Sequence, residues 1–197
     1  MRAATLLALV FLGAFIAGAA TVADYAAKIA PLIDPAKLST LGPRGANPRV
    51  QKITFHLATA KAEGVNLSQI AEAALLKVGV TNRAAVELTK TAMLRNVTIA
   101  ERLGSLDATG MDEMRHGKAA TVRRGRYAGD ELSVDHIIPR VVVPELDNVI
   151  ANLELMPQRA NSRKNAQVGQ RQRDLADKLH KAGLLSRAGM ETLRNRR

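Results

Sequence analysis

The chain has 197 residues, with 29 Lys and Arg against 18 Asp and Glu, a formal charge of +11, 47% hydrophobic residues, 3% aromatic residues and no Cys or Trp. This is too apolar for a disordered chain and long enough for one ordinary domain with an appendage, or for two small ones. The missing Cys excludes a disulfide framework, a thiolate zinc site and a Cys nucleophile, and the scarcity of aromatics argues against a binder that stacks single-stranded bases.

Met1 and Arg2 are followed by an uncharged apolar run from Ala3 to Ala20. A short positive start, an apolar middle and small residues at Ala17-Gly18-Ala19 describe a secretory signal over residues 1–19. The mature chain is then expected outside the cytoplasm, periplasmic or secreted. An uncleaved membrane anchor is the alternative.

From Asp24 to Asn47 the chain carries Pro31, Pro35, Gly42, Pro43 and Gly45, a pattern for a short helix followed by a loop. Helical spacing then runs from Val50 to Glu63 with Ile53, Leu57 and Ala60, stopping at Gly64. A second helix follows a cap at Asn66 or Ser68, and a third follows Asn82 and continues to about Leu106. Asp107 to Gly110 reads as a turn. Thr121 to Arg126 is basic and extended or hairpin-like. Leu132 to Ile138 is β-branched, apolar and stopped by Pro139, so a strand is predicted. Asn152 to Met156 alternates as a second short strand. Pro157 can open a helix, and Gln158 to about Ala182 is predicted as one long basic helix closed by Gly183. Between residues 157 and 197 there are eleven Lys and Arg against three Asp and Glu, whereas 131–156 has one basic and five acidic residues. An acidic stretch beside a basic one suits a site that holds a cation and grips a phosphate backbone. The overall surplus likewise points to a polyanion, nucleic acid or an acidic membrane surface.

The residues that can carry chemistry cluster in Ser133-Val134-Asp135-His136-Ile137-Ile138-Pro139, Asn152-Leu153 and Asn161-Ser162-Arg163-Lys164. Taken singly, each has a structural reading: a hydrogen-bonded His, an Asp that fixes its ring, an Asn that starts a turn, an Asn that caps a helix. His56, His116 and His180 have no metal-ligand spacing to one another, and no glycine pattern makes a nucleotide-binding loop.

Together, Asp135-His136-Ile-Ile-Pro, Asn152-Leu and Asn161-x-x-Lys164 resemble the HNH endonucleases of the ββα-metal superfamily, in the variant with Asn at the third named position. The resemblance spans about residues 121–168. It implies His136 as general base, Asn152 as the residue that supports the loop and orients it, and Asp135 and Asn161 as ligands of a divalent metal. Both ligands offer oxygen, which suits Mg²⁺, or Mn²⁺. Lys164, Arg163, Arg123, Arg124 and Arg126 would contact phosphates. The implied activity is metal-dependent phosphodiester hydrolysis by water, leaving 5′ phosphate and 3′ hydroxyl ends, on DNA ahead of RNA, with weak sequence preference and no nucleotide cofactor. The alternative is a non-catalytic basic binder of nucleic acid on the same scaffold. The expected fold is α+β and mostly α: a helical region over 20–110 packed on an HNH module over 111–197. One difficulty stands: adjacent residues of a regular strand face opposite ways, so Asp135 and His136 share a site only where the strand bends or ends.

Overall fold

The computed structural model describes residues 20–164 and 166–196. The expected export segment, 1–19, lies outside them. The protein is mostly helical with one small antiparallel sheet, an α+β arrangement. Among the described residues no helix is long and apolar enough to cross a membrane.

Six helices come first: α1 (Val22–Ile33), α2 (Pro35–Ser39), α3 (Asn47–Ala62), α4 (Leu67–Lys77), α5 (Arg83–Arg102) and α6 (Ala108–Arg115). Their starts follow local chemistry. Thr21 and Asp24 form a reciprocal capping box on α1, and the side chains of Asn66 and Asn82 accept the first free amides of α4 and α5. The turn expected at Asp107–Gly110 is instead the start of α6. The Asp107 carboxylate accepts Gly110 N–H at 2.7 Å, and a side chain at position 110 would meet the Ser105 carbonyl oxygen at 2.1 Å. Gly110 is therefore in the helix because only glycine fits under that carbonyl.

After α6 the chain turns through an isolated bridge, Thr121 to Glu131, into β1 (Leu132–His136), which pairs antiparallel with β2 (Leu153–Pro157). Helix α7 (Gln158–Arg163) folds back over the sheet, and α8 (Gln170–Lys181) and α9 (Arg187–Arg194) close the chain. The single long helix predicted over 158–182 is thus broken between Arg163 and Gln170. No residue of α7 is buried, so no apolar face holds the helix down. Asn161 and Ser162 are weak helix formers, and Gly169 precedes α8.

Leu132, Val134, Leu153 and Leu155 of the sheet are buried in the same apolar core as α1, α3, α4 and α5. A smaller core joins Ile138, Val142, Val143 and Leu146 of the inter-strand loop to α8 and α9. The expected division near residue 110 falls inside α6, and the main core runs across it.

Candidate active site

The sheet sorts its side chains by alternation. Leu132 and Val134 enter the core, while Ser133 and Asp135 lie on the other face, under α7. Asp135 stands directly opposite Glu154, and both carboxylates are buried. Like charges so placed repel, and the returning helices supply the counter-charge. The Lys164 ammonium pairs with the Asp135 carboxylate and also donates to the His136 carbonyl at 2.9 Å. Arg171 donates to Glu154 at 2.5 Å, and Arg95 stands 3.7 Å from the same oxygen. Part of the acidic stretch and part of the basic stretch therefore neutralise each other inside the fold.

His136 is the last residue of β1, and its ring meets the loop rather than the sheet. Nε2 lies 2.9 Å from the Asp147 carbonyl oxygen and 2.8 Å from its Oδ1. A carbonyl can only accept, so Nε2 carries the proton and Nδ1 of the neutral ring is the nitrogen able to take one. The strand-end position resolves the difficulty of adjacent residues, because Asp135 and His136 line the same cleft.

Asn152 is fully buried, and its side-chain hydrogen bonds go to loop backbone rather than to the His136 ring. Its Oδ1 accepts Ile138 N–H at 2.8 Å, and its Nδ2 donates to the carbonyls of Ile138 (3.0 Å) and Leu146 (3.3 Å). It staples the two ends of the 138–146 loop, which leads directly into Asp147. Asn161 comes from α7 and donates through Nδ2 to Ser133 Oγ at 3.1 Å and, more weakly, to the Val134 carbonyl at 3.5 Å. That use of Nδ2 leaves its Oδ1 as an acceptor.

Two adjoining clefts, of about 340 and 160 Å³, share Arg44, Asp135, His136, Asn161 and Lys164 in their walls. The predicted metal ligands, base and lysine are thus brought to one place. Among the described residues no three His, Cys, Asp or Glu side chains gather into a metal cluster. The donor set on offer is one carboxylate and one amide oxygen, which suits a hard ion that keeps most of its water.

The other predicted phosphate contacts lie elsewhere. Arg163 ends α7 and is exposed. Arg123 pairs with Asp107 at 2.9 Å, Arg124 lies against Gly104, and the Arg126 guanidinium sits 4.7 Å from the centre of the Tyr127 ring. They occupy the turn before β1, at the opposite end of the strand from His136.

Two residues escaped the sequence reading. Asp147 fixes His136, and only its place beside Asn148 in a loop could have flagged it. Arg44 lines both clefts, 91 positions before Asp135 in the chain. Among the described residues it is the one non-glycine with positive φ, at 60°. That backbone costs about 1 kcal/mol for a residue with a Cβ. No family model, curated protein or solved structure matches the chain.

Proposed function

We propose that this chain is a metal-dependent endonuclease of the HNH type that hydrolyses phosphodiester bonds, with DNA as the first substrate to test. The observation that supports the reading most strongly is the shared cleft. Asp135 and His136 from the end of one strand, Asn161 from the helix that follows the next, and Lys164 from just past that helix's end face one space.

In this reading His136 takes a proton from water through Nδ1 while Nε2–H stays bound to Asp147. Removing that proton near neutral pH is work suited to an imidazole. Asn152 holds the loop that keeps the ring turned. Asp135 and Asn161 would hold a divalent ion, whose contribution when bound is to polarise the phosphate and stabilise the leaving oxygen. Lys164, now paired with Asp135, shares that carboxylate and lends positive charge to the wall a phosphate would approach. The net charge of +11 favours a polyanion at any orientation, and weak sequence preference follows from contacts to the backbone rather than to bases. Export is part of the same proposal and rests on the apolar run of residues 3–20 alone.

The test is nicking of supercoiled plasmid by the mature chain. The expected outcome is nicking with Mg²⁺ or Mn²⁺, none after EDTA, and nicks that ligase seals without end repair because they carry 5′ phosphate and 3′ hydroxyl. Binding without nicking under every metal condition would favour the non-catalytic alternative.

A further inference from the structure

We propose that Arg44 is a phosphate-binding residue of the cleft, a guanidinium delivered by the helical region to the substrate strand beside Asp135 and His136. The proposal rests on the nuclease reading for the identity of the strand, and goes beyond it in assigning a role to a segment that carries no recognisable chemistry.

Three observations converge. The first is place. Arg44 is exposed, contributes to the walls of both clefts, and no ion pair among the described residues uses its side chain. Lys164 and Arg171, by contrast, are committed to Asp135 and Glu154. A planar guanidinium with parallel donors matches two phosphate oxygens at once.

The second is anchoring. Arg44 N–H donates to Asp147 Oδ2 at 3.1 Å, and Ala46 N–H donates to Asn148 Oδ1 at 3.0 Å. The Asn148 amide donates to the carbonyls of Leu41 and Gly42, each at 3.3 Å. The segment 41–46 is therefore fastened to Asp147 and Asn148 of the loop that also orients His136. Asp147 holds Arg44 N–H through its carboxylate and the imidazole through its backbone carbonyl.

The third is strain. The left-handed backbone at Arg44 is the conformation that glycine adopts freely, and Gly42 and Gly45 lie within two residues of it. The conformation nevertheless falls on the arginine. Strained backbone of this kind concentrates where function holds it.

The strain supplies the test. Arg44→Gly keeps the N–H that Asp147 accepts, relaxes the backbone and removes the exposed side chain with its guanidinium. Anisotropy of a labelled DNA duplex, read in EDTA so that no turnover intervenes, is expected to show affinity weakened about tenfold and a salt dependence shallower by about one counterion. The melting temperature should equal or exceed that of the wild type, which a merely structural arginine would not allow. Arg44→Lys should recover part of the affinity through charge alone. Unchanged affinity and salt slope in Arg44→Gly would overturn the proposal, as would a fall in melting temperature that accounts for the lost binding. Because the readout needs no cleavage, Arg44-dependent binding by a chain that never nicks would refute the nuclease reading and leave the phosphate site standing. Nicking with Arg44-independent binding would do the reverse.

Discussion

Asn152 shows how a buried amide can serve a site it does not enter. Each of its three hydrogen bonds goes to backbone at the ends of the 138–146 loop, and none of its polar atoms reaches water. Truncation leaves buried donors and acceptors without partners, a penalty of about 2–3 kcal/mol. Asn152→Ala should therefore lower stability by that amount in urea unfolding and also release the His136 ring, since Asp147 follows Leu146 directly. A variant of wild-type stability would show that the loop holds itself. The meeting of Asp135, His136 and Asn161 in one cleft was legible in the sequence because they fall within a short stretch with distinctive spacing. Asp147 was not, because nothing local distinguishes an acid that orients a ring from one that is merely solvated. Arg44 was still less so: its link to Asp147 joins residues 103 positions apart.

The two strands make the smallest sheet, so their outer edges need cover. Helix α5 covers one of them. Asn96 accepts Leu155 N–H at 2.9 Å, and Asn96 and Arg95 donate to the Leu153 carbonyl at 3.4 and 3.1 Å. A buried amide and a half-buried guanidinium on α5 thus complete the ladder that β2 lacks on that side. Asn96→Ala should cost about 1–3 kcal/mol and speed hydrogen exchange at the Leu155 amide ahead of the α5 amides. Slow exchange there after the substitution would contradict this role. Apolar periodicity made the main helices and both strands readable. It could not show that α7 stops at Arg163, because the chain leaves the helix there to bring Lys164 to Asp135, a pairing across the fold that apolar spacing does not record. The Asp107 cap was missed for a related reason: Gly110 looks like a turn residue until the Ser105 carbonyl above it is known.

At the scale of the whole molecule, one core runs from α1 through the sheet, so helical region and site stand or fall together. A half-buried titratable group on α3, beside that core, makes the coupling measurable. Burial, reinforced by the nearby Lys28 and Lys52, holds the His56 imidazole below its ordinary value of 6.5. The unfolded chain then binds the proton more readily, so stability is complete above about pH 6.5 and declines as pH falls through that value. His56→Gln should flatten this decline in melting temperature between about pH 7 and 5; an unchanged slope would place its origin elsewhere. The mostly helical α+β class was readable from composition and spacing. The boundary near residue 110 was not, because packing across it is a property of the assembled core. In the proposed function His136, turned by Asp147 and set beside Asp135 and Asn161, activates water in the shared cleft. The most direct measurement is the Mg²⁺-dependent cleavage rate of a labelled duplex by His136→Ala, alongside wild type and with matched circular dichroism. A loss of about 10²–10⁴-fold is expected, the contribution of a positioned general base, with duplex affinity retained. Cleavage at the wild-type rate would contradict it.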